Sequence, residues 1–223
     1  MNRILLSGVA SLFSSLMLCA AEPSAPQMTK PGKVVFEDTL AKGMGKDWTM
    51  AKGKWDLDGD AARGAEVKAD MHGAVARHAA KFTDGVVAFE FKLDGVKTTS
   101  LSLNGAKGHI CRVMITPAKF SVNKDDQDGK DGPDKGEVLG TGTVAIKPAE
   151  WHTMLVEFRG PEMLATLDGK HHAYGKHAAI EKEKTNLGLT AAGEFVSFRN
   201  VKVYEATANP EWDTIKDKVL GKK

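Results

Sequence analysis

The chain has 223 residues, with 31 basic against 29 acidic side chains and a formal charge of +2 at pH 7. So even a balance gives no basis for nucleic-acid binding, which needs a clustered basic excess. With 42% hydrophobic residues, this length suits one domain with a substantial core.

The chain opens with Arg3, an apolar run from Ile4 to Leu18, and the small residues Cys19, Ala20 and Ala21. That is the anatomy of a secretory signal peptide cleaved after Ala21, which places the mature protein outside the cytoplasm, secreted or periplasmic. The apolar run, of about 15 residues, falls short of the roughly 20 that a membrane span needs. Lipoprotein processing at Cys19 is the rival reading, with Leu18 larger than such processing prefers. Residues 22–32, rich in Pro and Ser, read as a flexible lead-in. Once the leader is removed, only Cys111 remains, so no internal disulfide can form. Its neighbours Ile110, Val113 and Ile115 mark it as a core thiol. A Cys111–His109 catalytic pair is the alternative, but apolar surroundings raise a thiol pKa.

Short strands then follow one another. Lys33–Asp38 and Lys54–Asp58 come first, the second ending in the turn Asp58-Gly59-Asp60. Gly73–His78 follows. In Val86–Leu93, the residues Val87, Phe89, Phe91 and Leu93 share one face, and Ala88, Glu90 and Lys92 the other. Asp94-Gly95 reads as its end. Leu101–Leu103 leads into a hairpin signal at Asn104-Gly105. His109–Thr116 and Lys119–Lys124 read as a hairpin, and Val144–Ile146, Trp151–Arg159, Met163–Leu167, Leu187–Thr190 and Phe195–Glu205 complete the set. No segment carries a 3.6-residue period long enough for a β-α-β crossover. The expected fold is therefore all-β: a jelly roll of two antiparallel sheets over residues 33–206. A short C-terminal helix falls within 207–223, with Asn209 as cap, Pro210 at its start and Trp212, Ile215 and Val219 on one face.

Several side chains carry chemistry. Regular alternation puts His109 and Arg112 on opposite sides of their strand, so a shared site requires a bulge or a neighbouring loop. Either is otherwise a rim residue. The loop Asp125–Thr143 bears Asp125, Asp126, Asp128, Asp131 and Asp134, with Gly129 and Gly132. Such hard oxygen ligands suit Ca²⁺, yet the calcium-loop spacing fails in every register, and an acidic surface loop balanced by Lys124, Lys130 and Lys135 is the plainer reading. His171, His172 and His177 lack a completing ligand for zinc, so no metal site is expected there. Trp55 and Trp151 belong to the core, whereas Trp48, beside Gly45 and Gly53, is the candidate platform for stacking on a sugar ring.

Asp47-Trp48 with Gly53-Lys54-Trp55-Asp56-Leu57-Asp58-Gly59, the strand Val87-Ala88-Phe89-Glu90-Phe91-Lys92, Glu150-Trp151-His152-Thr153, Leu167-Asp168-Gly169, and Val196-Ser197-Phe198-Arg199-Asn200-Val201 occur in the order and spacing of a known family. Together they resemble the 3-keto-disaccharide hydrolase domain, a branch of the concanavalin A-like lectin and glucanase sandwiches often labelled family-16 glycoside hydrolase. The resemblance spans Val34 to Ala206. It implies a carbohydrate ligand and a site in the concave groove, with Arg112 standing for a family arginine. In place of the family's Asn-Ser-Gly, this chain has Thr98-Thr99-Ser100. The paired-carboxylate signature of retaining glucanases is absent, since Glu90 and Asp94 are four apart.

Two functions follow. The first is an enzyme acting on an oxidised glycoside, with His109 as proton carrier, Arg112 as orienting group and Asp125 or Asp126 as carboxylate, and with Trp48, Glu90 and Lys124 contacting substrate. The second is a non-catalytic sugar-binding or adhesion module using the same face.

Overall fold

The computed structural model describes residues 25–129 and 131–221. The expected leader and the first residues of the lead-in lie outside them. Thirteen strands are present: β1 (Thr29–Asp38), β2 (Trp48–Lys52), β3 (Lys54–Asp58), β4 (Ala61–Ala65), β5 (Ala74–Phe82), β6 (Gly85–Gly105), β7 (Gly108–Thr116), β8 (Lys119–Lys124), β9 (Glu137–Thr143), β10 (Trp151–Arg159), β11 (Glu162–Leu167), β12 (His171–Lys176) and β13 (Lys184–Ala208). Among the described residues one α-helix, α1 (Trp212–Val219), follows them. Every ladder between named strands is antiparallel.

Two strands build both layers. The first half of β6 pairs with β10 and with the second half of β13, which also pairs with β1 and β4. The second half of β6 pairs with β7 and with the first half of β13, which also pairs with β5. Sheet one is therefore β12-β11-β10-β6-β13 continuing into β1 and β4-β3, and sheet two is β9-β8-β7-β6-β13-β5-β2. The crossing point is where β6 and β13 break register, between Ala192 and Val196. Gly95 (φ 71°) and Gly193 (φ 110°) lie there, and the Gly193 angle is one that a residue with a Cβ adopts only under strain. Asp94-Gly95 thus bends the strand into the second sheet; it does not end it.

Between the layers, Val87, Phe89 and Phe91 of β6, Met154, Val156 and Phe158 of β10, and Val203 meet Leu101, Leu103, Val113, Ile115, Phe120, Leu187 and Leu189 in one core. Cys111 is inside it, and burial pushes its thiol up to about 12. Gly140 of β9 lies so close to β12 that a Cβ there would come 2.0 Å from the Tyr174 carbonyl, and this contact brings the free edges of the two sheets together.

Part of the outer face of sheet one is covered by the N-terminal segment and α1. Glu157, fully buried, accepts hydrogen bonds from the N–H groups of Gln27, Met28 and Thr29 at 3.0, 2.8 and 2.7 Å and from the Thr29 hydroxyl at 2.8 Å. Burial raises its pKa against these donors. Trp212 of α1 is buried with Met28 and Leu164. Glu162 accepts from Lys216 at 2.6 Å and from the Tyr174 hydroxyl, while Arg159 grips Asp213 with two bonds of 3.0 and 3.1 Å. The C-terminal helix expected from sequence is present but starts at Trp212, with Glu211 and not Asn209 in the cap position, while Asn209 holds the turn before it by accepting from the Glu211 N–H at 3.2 Å.

At one end of the sandwich, His152 shares a 2.8 Å hydrogen bond with Asp168 of the β11–β12 turn, which also accepts from the Thr153 N–H at 2.9 Å. The Asp168 bond raises the His152 pKa against the opposing effect of burial. A raised histidine pKa adds stability that is complete below the unfolded-state value of about 6.5 and is lost as pH rises through the folded-state value. The advantage of wild type over His152→Gln should therefore shrink from pH 5.5 to pH 9 in denaturant titrations; a difference that does not vary with pH contradicts this. Gly193→Ala should cost about 1–3 kcal/mol or more in the same titrations, from backbone strain and from the approach of the new Cβ to 2.9 Å from the Lys97 backbone nitrogen; a neutral result removes the bend from the account.

Candidate functional site

Sheet two presents an outer face of a different character. Reading across its strands, Asn123, Arg112, Ser102, Gly188, Arg77 and Thr49 stand side by side, each facing its neighbour in register. The next row toward the β8–β9 loop holds His109, Asn104 and Asn186. The row on the other side holds Ser121, Met114, Ser100 and Thr190. Ser100, Ser102, Asn104, Ser121 and Asn123 are each below 10% exposed, although they point away from the core. A sheet face lined by sheltered amides and hydroxyls suits a ligand made of hydroxyls.

A bulge arranges the chemistry. Leu103 faces Cys111, but the next residue, Asn104, faces His109, so Ile110 is the extra residue in β7. Ile110 and Cys111 are both buried, and alternation restarts one residue out of phase. His109 therefore lies on the outer face with Arg112, where a regular strand would have put it on the other side. The bulged Ile110 carbonyl accepts the Asp125 N–H at 3.0 Å, which fixes the start of the acidic loop against β7. Asp125 in turn accepts from the Arg112 Nε at 2.5 Å.

His109 feels all of these groups. Burial lowers its pKa first, Asp125 opposes, and Arg112 and Arg77 push it further down. The ring is thus neutral near pH 7 and free to accept a proton. It lines a pocket of about 430 Å³ with Gln127 and Lys182. Around it lie three buried polar atoms without a hydrogen-bond partner: Asn104 Oδ1, Asp125 Oδ2 and Gln127 Nε2. The other such atom among the described residues is Arg63 Nε. Orphaned buried polar groups are uncommon and mark places where a ligand or ordered water completes the bonding.

The structure gathers His109, Arg112 and Asp125, and leaves the other expected residues apart. Asp126 turns into its own loop, accepting from the N–H groups of Asp128 and Gly129 at 3.1 and 2.8 Å. Asp126, Asp128 and Asp134 do bring one oxygen each within 4.8 Å of the others. Those carboxylates also serve the loop, since Asp134 accepts from Gln127 at 2.9 Å and Asp128 from the Asp134 N–H at 3.1 Å. Lys124 belongs to the inward phase of β8, facing Cys111, and its buried ammonium binds Asp134 and the Lys135 carbonyl. Trp48 is a buried part of β2, not a loop platform: its indole N–H donates to Asp38 at 2.9 Å, and Phe36 and His78 pack against the ring. Glu90 lies on the outer face of sheet one, held by Arg199 at 2.7 Å and Asn200 at 2.6 Å. A larger cleft of about 980 Å³ runs past Glu90 beneath the N-terminal segment. Its lining is mostly apolar and lacks a comparable gathering of unpartnered groups. Arg77 is the residue that sequence reasoning missed; it stands among alanines in β5, with no motif to flag it.

The polar face now has comparisons to set beside it. The structure resembles the carbohydrate binding module CBM66 from Bacillus subtilis, with a TM-score of 0.59 at 14% identity over 71% of this chain and 96% of the other. It resembles porphyranase B from Zobellia galactanivorans at 0.60 and 14%, over 82% of this chain and 100% of the other. The Bacillus licheniformis beta-glucanase matches at 0.54 and 10%, over 79% and 99%. At these identities the likeness establishes the fold alone, a jelly-roll sandwich of the concanavalin A-like kind. No curated protein sequence matches. A family model does, from residue 33 to residue 204, and the chain belongs to the 3-keto-alpha-glucoside-1,2-lyase-like domain family.

Proposed function

We propose that this protein works outside the cytoplasm and cleaves a 3-keto-glycoside on the outer face of sheet two, with His109 as the base. One observation carries the reading: the Ile110 bulge sets a histidine, an arginine and a partly unpaired carboxylate on one side of a polar sheet face. The family's description supplies the reaction class.

The chemistry follows from the substrate. A ketone at C3 acidifies the proton at C2. His109 removes that proton, the C2 electron pair forms the C1–C2 double bond, and the C1–O bond breaks toward the departing alcohol, whose oxygen takes up a proton. Addition of water across the double bond then gives the products of hydrolysis, so lyase and hydrolase outcomes share one first step. Arg112, braced by Asp125, orients the sugar through its free guanidinium end. Asn104 and Gln127 offer the remaining contacts.

A non-catalytic sugar-binding module is the second reading. It is favoured by the ion pair that ties Asp125 to Arg112, which takes that carboxylate away from proton transfer beside His109.

Turnover of aryl 3-keto-glucosides separates the two. Wild type should release the aryl alcohol. His109→Ala should slow release about 10²–10⁴-fold, and the wild-type rate should fall on the acid side as His109 takes up a proton below the usual value of about 6.5. Full activity in His109→Ala contradicts its role as base. Binding without turnover by wild type selects the binding module.

A further inference from the structure

Arg77 is a half-buried guanidinium on the sugar face, with no acidic or carbonyl partner among the described residues. Arg112 spends its Nε on Asp125, and its two terminal nitrogens have no partner there either. These are the two ends of one row. Arg112, Ser102, Gly188 and Arg77 occupy four adjacent strands, so the two arginine Cα atoms are about 14 Å apart by strand spacing. Between them lie a serine and a glycine, a low floor.

The side chains lean inward over it. A Cβ built on Gly188 would be 3.6 Å from Arg77 Cγ and 2.6 Å from Ser102 Oγ. The Arg77 stem and the Ser102 hydroxyl thus flank the bare Cα of Gly188 from its two sides. The charge of Arg77 reaches His109 on the far side of the floor. Donors crowd the centre of the site, while the unpaired acceptors, Asn104 Oδ1 and Asp125 Oδ2, lie at its His109 end.

Charge decides what fits. Asp125 already compensates Arg112. Glu183, near the same rim, faces Lys81 at 3.4 Å, and Asp70 accepts the Gly53 N–H at 2.7 Å. Arg77 is left as an uncompensated cation in a partly desolvated place. A neutral hydroxyl satisfies its hydrogen bonds but not its charge, whereas a planar or tetrahedral oxyanion satisfies both.

We propose that Arg77 and Arg112 form a clamp over the Ser102–Gly188 floor for a sugar unit that carries an anionic group, a carboxylate or a sulfate ester. The clamp rests on the saccharide reading of this face and narrows its substrate class. Arg77 receives the anion, and Arg112 the ring hydroxyls beside His109.

The test is titration of the full mature chain with glucuronate, glucose 6-sulfate, glucose and inorganic sulfate, followed by NMR shifts or calorimetry. Wild type should bind at least one of the two anionic sugars about tenfold more tightly than glucose, the margin of a charge-assisted over a neutral hydrogen bond. The two anionic sugars tell carboxylate from sulfate. High salt should erase the advantage. Arg77→Gln should abolish it, bringing the anionic sugars to the affinity of glucose for the same variant while leaving thermal melting unchanged, and Arg77→Lys should restore part of it. Equal affinity for glucose and both anionic sugars overturns the clamp and leaves the saccharide site standing. Binding of inorganic sulfate with no sugar bound overturns both. An advantage that survives in Arg77→Gln places the anion elsewhere and also overturns the clamp.

Discussion

The whole molecule hangs on the bend shared by β6 and β13. Both strands cross from one layer to the other at Gly95 and Gly193, so each supplies hydrogen bonds to both sheets. Because they are neighbours throughout, the two layers cannot choose independent registers. The bend also fixes which side chains face outward in each layer, since β6 keeps the same side turned to the core before and after it. Ala88, Glu90 and Lys92 belong to one outer face, and Ser100, Ser102 and Asn104 to the other.

Those faces have opposite fates. On sheet one, the buried carboxylates Glu157 and Glu162 hold the N-terminal segment and α1 against the strands. Each carboxylate is costly to bury alone and is kept by the several donors around it. Among the described residues neither the N-terminal segment nor α1 lies on sheet two, and its sheltered serines and asparagines line the face proposed for a ligand. The chemistry proposed there depends on a second local irregularity, the Ile110 bulge, which carries His109 to the side of Arg112 and whose carbonyl holds Asp125, itself bonded to Arg112.

Much of the architecture was legible. The alternation in Val86–Leu93 and the strands Lys54–Asp58, Lys119–Lys124 and Trp151–Arg159 form as read, and the amphipathic C-terminal helix forms with its start at Trp212 and not at Pro210. The motifs behind the family resemblance are largely structural: Glu90 holds Arg199 and Asn200, Arg199 lies over the Trp151 ring at 4.0 Å, and His152 binds Asp168. That explains why they speak clearly of fold and little of chemistry. Other features were hidden for physical reasons. Asp94-Gly95 has the composition of a turn, and only pairing on both sides keeps it extended. The acidic loop conceals β9, whose Gly140 and Gly142 have low strand propensity but are needed where β12 and Phe120 come close. Val144–Ile146, expected as a strand, follows β9 as irregular chain held to the Pro117 and Ala118 carbonyls.

The site was half legible. Ile110 and Cys111 are both apolar, so the sequence shows a bulge to be required for a shared His109–Arg112 site without showing that one exists. Trp48 looked free because its partner, Asp38, is ten residues away. Glu90 and Lys124 looked available because Arg199 and Asp134 meet them only in the folded chain. Arg77 was silent because its meaning comes from standing opposite Gly188 across strands far apart in sequence.

The claim that function resides on sheet two is tested most directly by a crystal structure of the chain soaked with an unreactive glucoside. The account predicts the sugar over Ser102 and Gly188, within hydrogen-bonding distance of Arg112 and Asn104. A sugar seated instead in the cleft beside Glu90 and Lys202 on sheet one would contradict it.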